Sequence, residues 1–400
     1  MAGISGAMLS GQAPVPAPIL VEDDATAARI AAIAARAPRV SLDVEASGLH
    51  AYRARACAVQ LAWDEGRQVA VVDALSVSPA VLGELLGAAG PVKIVHDVAF
   101  DARVLGQSGC AVDRVYDTAI AARMLGRPAT GLAALLDAEL GVKMSKALQQ
   151  HDWRIRPIDD AMMAYLSEDV RHLEALAARL WSELGDRGIE EAVIEETRYR
   201  IDCARASLAE PRDDMPYLTI KGADRLTEVE LAALRAIFFV REGEAAARDV
   251  PPFRVAPPDA LMALARARPT TAAGVARVRG IDASPDQEPF LAALARAIAE
   301  APACLPESER QRIHPPRLPR EEARGRRERE ARLMAWRREE AKRRGVDEQV
   351  LLPGHCVKDA AAASIATPDD LARVPGIGAF RIERDAGAIL RALRGEGASA

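Results

Sequence analysis

The sequence predicts an α/β domain built on a mixed sheet, followed by two small all-helical domains. Three observations point there. Short apolar strands alternate with helical segments between Val40 and Thr118, Pro and Gly mark a change of composition past Arg205, and a segment starting at Val275 recurs at Leu371. The chain of 400 residues is long enough for two or three domains. Its 28% charged and 50% hydrophobic residues are ordinary for a globular protein, and 53 Lys and Arg against 58 Asp and Glu leave a net charge of −5. Five scattered cysteines without a Cys-x-x-Cys pair favour a reducing cytoplasm and argue against structural zinc. No run of about eighteen apolar residues exists, so no membrane span is expected. The expected division is a disordered leader over 1–19, the α/β domain over 20–210, a helical domain over 222–302, a basic, Pro-rich linker over 303–325 and a second helical domain over 326–396. The Ala-, Gly- and Pro-rich leader lacks the basic n-region and long apolar core of a signal peptide.

The first strand organises the rest. From Arg39 to His50, Val40, Leu42 and Val44 alternate with Ser41, Asp43 and Glu45, the period of a strand with one buried face. Asp43 and Glu45 therefore leave the same face, side by side. Like charges held that close repel, and the usual remedy is a divalent cation, with oxygen-only ligands favouring Mg²⁺ or Mn²⁺. A solvated edge strand ending in two acids is the alternative. Ala56 to Trp63 and Gln68 to Val72 are apolar runs separated by Asp64-Glu65-Gly66, which predicts an antiparallel hairpin. A helix near Ala80 to Ala88 and a strand over Val92 to Val95 follow. In HDVAFDARVL, Asp97 suits an N-cap and Phe100, Val104 and Leu105 give helical spacing, with Asp101 in the first turns. Val115 to Thr118 ends another strand and opens a helix.

Between Ile158 and Leu184, Met162, Leu166, Leu173, Leu176 and Leu180 draw one apolar stripe at helical spacing. Asp169 falls within or beside it, where a carboxylate is costly unless paired or metal-bound. Tyr165 lies one turn earlier on the same face. By themselves these two residues also fit a solvent-facing acid and a packing ring. In chain order with Asp43, Glu45 and Asp101 they do not.

Asp43-x-Glu45, the His96 to Asp101 segment and Tyr165-x-x-x-Asp169 together resemble the tyrosine-bearing branch of the DEDD superfamily of 3′-to-5′ exonucleases. The stretches DTAIAARMLG and GLAALLDAELGVKMSKALQQHDWRIRPI resemble the ribonuclease D family within it. The resemblance implies a ribonuclease-H-like fold, with Asp43, Glu45, Asp101 and Asp169 as ligands of two divalent cations, Mg²⁺ or Mn²⁺. It makes Tyr165 the residue that orients the attacking water. Two cations about 3.5–4 Å apart can activate that water and hold the leaving 3′-oxyanion. A phenol with an ordinary pKa of about 10 is a poor base, so Tyr165 is assigned positioning. Ala46 departs from the Thr that proofreading relatives often carry, and Leu49 matches the position that wedges against their terminal base. Lys146, Arg154 and Arg156 are candidate phosphate contacts or, equally, solvated loop charges.

Past Arg205, Pro211, Pro216 and Gly222 mark a linker, and Leu226 to Arg248 reads as a helix with Leu231, Leu234 and Phe238 on one face. Pro251-Pro252 break it, and a second linker holds Pro306, Pro315 and Pro316. Val275-Ala-Arg-Val-Arg-Gly-Ile281 matches Leu371-Ala-Arg-Val-Pro-Gly-Ile377, with Thr271 and Thr367 at the same offset. Both copies resemble the HRDC domain, and two copies after a nuclease is the ribonuclease D arrangement. From Arg310 to Arg344 fourteen Lys or Arg face six Asp or Glu. The excess suggests a surface that tracks a nucleic-acid backbone, the alternative being a solvated helix with i,i+4 pairs such as Glu328 with Arg332. Pro375 to Gly378 is either a phosphate-binding hairpin or a plain connecting turn.

The resemblance implies a monomeric, cytoplasmic exoribonuclease with no small-molecule cofactor. It would trim RNA with a free 3′ end, tRNA and other stable precursors above all, and release nucleoside 5′-monophosphates. A DNA exonuclease acting in repair is the second reading. A non-catalytic nucleic-acid-binding module is the third, and loss of a ligand would be its signature. A fragment ending near Glu210 keeps every candidate site residue and is expected to retain hydrolysis of short RNA.

Overall fold

The computed structural model describes residues 16–209, 215–313 and 318–396. Most of the expected leader (residues 1–15) and Pro211, Pro315 and Pro316 of the two expected linkers lie outside the described residues. Two compact units form. One comprises the chain up to Glu45, Ala56–Arg205 and the chain from Glu330 on; the other comprises Ala46–Arg55 and Ala206–Arg329.

The first unit is built on a six-stranded sheet, β1 (Ile19–Val21), β2 (Arg39–Ala46), β3 (Ala56–Trp63), β4 (Gln68–Asp73), β5 (Val92–Val95) and β6 (Val115–Asp117), in the order β1-β4-β3-β2-β5-β6. β3 and β4 pair antiparallel from Ala58↔Asp73 to Trp63↔Gln68, whereas β1–β4, β2–β5 and β5–β6 are parallel. The sheet is mixed, as expected. The hairpin turn is tight: Asp64, Glu65 and Gly66 all take positive φ, and a Cβ on Gly66 would lie 2.0 Å from the carbonyl oxygen of Arg171. Only glycine fits there.

Strand β2 differs from the edge-strand alternative. It runs between β3 and β5, and Ser41 is buried along with Val40, Leu42 and Val44. Both faces are covered at its start, and the polar face opens only at Asp43 and Glu45. Strand β1 and helix α1 (Asp24–Ala34), capped by Asp23 accepting from the Thr26 amide at 2.8 Å, precede everything the alternation pattern covered. The helix expected near Ala80 is a 3₁₀ turn over Pro79–Leu82 running into one turn over Gly83–Leu86.

Helices α2 (Val98–Gln107), α3 (Thr118–Met124), α4 (Leu132–Leu140), α5 (Asp160–Arg171), α6 (Leu173–Arg187) and α7 (Glu190–Ala209) follow. The single stripe between Ile158 and Leu184 is thus two helices, broken at His172. Leu176, Leu180 and Leu184 of α6 join Ile189, Ala192 and Val193 and residues of α3 and α4 in one core, which also takes in Val350 and packs against Phe380.

In the second unit, α8 (Glu228–Ala247) starts at a capping box formed by Thr227 and Glu230. Its Leu231, Leu234 and Phe238 are buried as expected, against α9 (Pro258–Ala267) and α10 (Glu288–Ala299). The segment 46–55 belongs here: Tyr52 packs on this core, donates from its hydroxyl to Glu242 at 3.1 Å and from its amide to Asp249 at 3.2 Å. The internal repeat extends to the hydrogen bonds. Thr271 and Thr367 each cap a short turn by accepting from the third amide onward, and Gly280 and Gly376 share φ values of +89° and +88°.

The basic stretch is mostly one helix, α11 (Arg320–Arg344), followed by α12 (Gly354–Ala362) and α13 (Ala379–Arg394). The pair suggested by the i,i+4 pattern is replaced. Arg332 donates to the carbonyls of Ala392 and Leu393 at 2.9 and 2.6 Å, capping the end of α13, and Glu328 faces Arg324 at 3.6 Å. Arg337 is buried beside Glu348, and Arg344 pairs with the buried Asp385. Part of the positive charge therefore holds the fold together.

The turn before α13 is no open anion site. The Glu195 carboxylate from α7 fills it, accepting from the Phe380 amide at 2.8 Å and from Arg381 at 2.6 Å, with both side chains buried. A Cβ on Gly378 would lie 2.3 Å from that carboxylate, so the turn takes glycine and excludes a phosphate.

Candidate active site

Asp43 and Glu45 leave the C-terminal end of β2, and Asp169 projects from α5. One carboxylate oxygen from each lies within 4.8 Å of the other two. Asp101, in the first turn of α2, stands outside this group of three but is close enough for Asp43 to act on its charge. It is 4% exposed, and its Oδ2 is buried without a hydrogen-bond partner. Tyr165 is half-buried one turn before Asp169. The structure thus brings all five expected residues to one region, three of them tightly.

The electrostatics follow from burial and crowding. Burial first, then Asp43 and Asp169, pushes the Glu45 carboxyl up to about 9. Burial and Asp43 raise Asp169 to about 8, burial raises Asp43 to about 6, and Asp101 is raised by burial and then by Asp43. Burial and the neighbouring carboxylates also hold the Tyr165 phenol above its ordinary value. Among the described residues no Lys or Arg pairs with any of the four acids. Four oxygen donors, an orphaned buried oxygen and uncompensated negative charge fit a hard divalent cation such as Mg²⁺ or Mn²⁺.

Two supporting residues escaped the sequence reading. Asp97 occupies the N-cap position of α2 in a left-handed conformation, but its side chain caps nothing. Asp117, at the end of β6, does that work: it accepts from the amides of Asp97 and Val98 at 3.2 and 2.9 Å and from those of Ala119 and Ile120 at 2.9 and 3.1 Å. One carboxylate caps both α3 and the helix that carries Asp101. The signal was present, since Asp-Thr at a strand–helix junction is an N-cap pattern. Trp153 is the other, 3% exposed with its ring 5.6 Å from that of Tyr165.

The candidate nucleic-acid contacts separate. Arg156 has no donor left for a phosphate. Nε and one terminal nitrogen bind Asp73 at 2.7 and 2.6 Å, and the remaining donors reach the carbonyls of Cys57, Trp153 and Ile155, each at 2.8 Å. All five N–H groups are engaged. Arg154 is held bidentately by Asp152, both contacts at 2.9 Å. Lys146 is exposed. Leu49 is 49% exposed, in the segment that packs with the second unit. Beside Tyr165 and Asp169 lies an apolar cavity of about 380 Å³ lined by Met144, Leu148, Ala161 and Ala164.

Comparison with known proteins bears on this arrangement. Residues 18–185 match the family model for 3′-5′ exonucleases, and residues 230–285 and 326–393 match that for the HRDC domain. Curated ribonuclease D of Acidiphilium cryptum is 29% identical over 270 residues, 66% of this chain and 67% of that protein. Ribonuclease D of Zymomonas mobilis is 29% identical over 298 residues, 73% of this chain and 75% of its own. In fold, the crystal structure of Escherichia coli RNase D superposes with a TM-score of 0.66 at 20% identity, covering 94% of this chain and 98% of that one. A Bifidobacterium adolescentis protein gives a TM-score of 0.72 at 20% identity, over 94% and 97%. The chain thus carries a 3′-5′ exonuclease domain around the carboxylates and two HRDC domains after it, and it is similar to curated ribonuclease D over about two thirds of its length.

Proposed function

We propose that this chain is a metal-dependent exoribonuclease that removes nucleoside 5′-monophosphates from a free 3′ end, acting as a cytoplasmic monomer on tRNA and other stable RNA precursors. The observation that carries the reading is the meeting of Asp43, Glu45 and Asp169 within 4.8 Å, with the buried Asp101 beside them and no basic partner among the described residues. These four residues would hold two divalent cations. When bound, such cations lower the pKa of coordinated water and stabilise charge on a departing oxygen.

The chain's own residues do the rest. Tyr165, kept protonated by burial and then by the carboxylates around it, accepts or donates one hydrogen bond and so aligns a water rather than taking its proton. The apolar cavity next to Tyr165 suits the flat face of a base, and Lys146 in its neighbourhood is exposed to meet a phosphate. Leu49, exposed four residues after Glu45, is the candidate contact for the terminal base. Likeness to curated ribonuclease D proteins, and to an Escherichia coli enzyme described as an exoribonuclease of structured RNA processing, supports RNA over DNA.

Matched RNA and DNA oligonucleotides, each with a free or blocked 3′-hydroxyl, test this. Release of mononucleotides from RNA with a free end, and not from the blocked one, is expected in Mg²⁺ or Mn²⁺. Faster release from DNA would move the chain to the repair reading, and no release from either would leave a binding module.

A further inference from the structure

We propose that the cleft between helix α7 and edge strand β6 is a second, non-catalytic site that binds a nucleotide. The main chain of Val115 and the Thr197 hydroxyl read the base, and Arg198 takes the phosphate. The cleft measures about 380 Å³ and lies wholly within the first unit. It is distinct from the carboxylate site. Strands β2, β5 and β6 run parallel, and Asp43 and Glu45 stand at the C-terminal end of β2. The cleft opens instead among Val92, Arg114 and Val115, at the N-terminal ends of β5 and β6.

The sheet supplies the first recognition element. β6 is the last strand, and Lys93 of β5 pairs with Val115, its amide donating to the Arg114 carbonyl at 2.9 Å. In a parallel ladder the residue that bonds across turns both backbone groups to its neighbour, and the residue opposite turns both away. The N–H and C=O of Val115 therefore have no strand to receive them, although the residue is 5% exposed. Side chains alternate along a strand, so with Arg114 and Tyr116 lining the cleft, Val115 meets it through its main chain. On the facing helix Thr197 is 2% exposed, and its Oγ1 has no hydrogen-bond partner. A buried donor, acceptor and hydroxyl that line one cleft call for a ligand with matching polar atoms on one edge.

Val92, Ile194 and Ile201 supply apolar walls around these groups. A nucleobase has that combination: a flat apolar face and, on its pairing edge, adjacent donor and acceptor atoms. An added peptide strand fits worse, since β6 has three residues and offers a short ladder. Charge at the rim selects the anionic end. Arg205 is occupied by Asp113 at 2.6 Å and the Val112 carbonyl at 2.9 Å, with Asp202 at 3.6 Å, and Arg114 donates to the Gly90 carbonyl at 2.8 Å. Arg198 is exposed beside Thr197 and has no acidic partner among the described residues. A nucleotide with its base on Thr197 carries its phosphate out to this rim, where the guanidinium can take it bidentately.

Calorimetric titration of the full-length chain with AMP in chelator tests this, because without a divalent cation the carboxylate cluster repels a phosphate. AMP should bind saturably. Thr197→Val keeps the shape, deletes the hydroxyl and should weaken AMP and adenosine alike, by about 3–10-fold. Arg198→Ser should weaken AMP by about 10–100-fold and leave adenosine unchanged. A wild-type chain that binds no AMP, or variants that both bind it as tightly as wild type, overturn the inference. Inorganic phosphate that binds as tightly as AMP overturns it too, since the cleft then holds an anion alone. Should Thr197→Val not fold, Arg198→Ser decides, because that side chain is exposed. Hydrolysis of RNA in Mg²⁺ is read separately on the wild-type chain, so loss of this site leaves the exonuclease reading standing, and the reverse holds.

Discussion

Four crowded carboxylates, with no basic partner among the described residues, dictate what single substitutions do. Asp43→Asn or Asp169→Asn removes a ligand charge and no core volume, so hydrolysis should vanish while the fold stays intact. The metal-free variants should melt at a higher temperature than the metal-free parent, because a repulsion is gone. Mononucleotide release near the parent rate would sink the assignment. The same cluster sets a pH dependence. With Glu45 at about 9 and Asp169 at about 8, both bind protons more tightly folded than unfolded, where ordinary values near 4 apply. Their contribution to stability is therefore undiminished below about pH 4 and is lost as pH rises through 8 and 9. The metal-free chain should melt lower at pH 9 than at pH 6, and Mg²⁺ should narrow the gap; a melting temperature that climbs over that range in chelator would contradict the cluster. Tyr165→Phe deletes only a hydroxyl. Substrate affinity should hardly change, and the chemical step in single-turnover kinetics should slow about 10²–10⁴-fold.

At the scale of elements, legibility tracked how local each signal is. Asp43 and Glu45 were readable because alternation along β2 fixes their side, and Asp169 because helical spacing places it against Leu166. Arg156 was misread because its partner Asp73 is 83 residues away, and nothing in the loop itself announces it. Asp117 was overlooked for a related reason: its second helix, the one bearing Asp101, lies upstream and is reached only through the sheet. Charge counting likewise overstated α11. Arg332, Arg337 and Arg344 serve the fold, which leaves Arg324, Arg326 and Arg327 among its exposed cations. If these track a phosphate backbone, Arg326→Ser with Arg327→Ser should weaken RNA binding and flatten the plot of log affinity against log salt by about 0.7 per lost contact to a single strand. Titrations at several salt concentrations would reveal it, and an unchanged slope would return α11 to a purely structural role.

For the molecule as a whole, the linear order nuclease, helical domain, helical domain suggested that the chain could be cut after the first of them. The compact units divide the chain differently, grouping residues from Glu330 on with the nuclease sheet. Val350 completes the core of Leu180, Ile189, Ala192 and Val193, and Glu195 sits buried between the Phe380 amide and a guanidinium that is itself fully buried. A chain ending at residue 209 would expose that core and strip Glu195 of both partners. It should melt well below the full chain, and its hydrolysis of a short RNA should fall with its folded fraction, contrary to what the position of the site residues alone suggests. The ion pair offers the cleaner measurement. Glu195→Ala leaves the Arg381 charge buried and unpaired, which costs about 3–5 kcal/mol, whereas replacing both partners by apolar residues is often close to neutral. Glu195→Leu combined with Arg381→Met should therefore recover much of the stability that Glu195→Ala loses, read by denaturant unfolding of the full chain. A Glu195→Ala chain as stable as its parent, together with a truncated chain of parental stability and rate, would mean that the C-terminal helices merely rest on the nuclease.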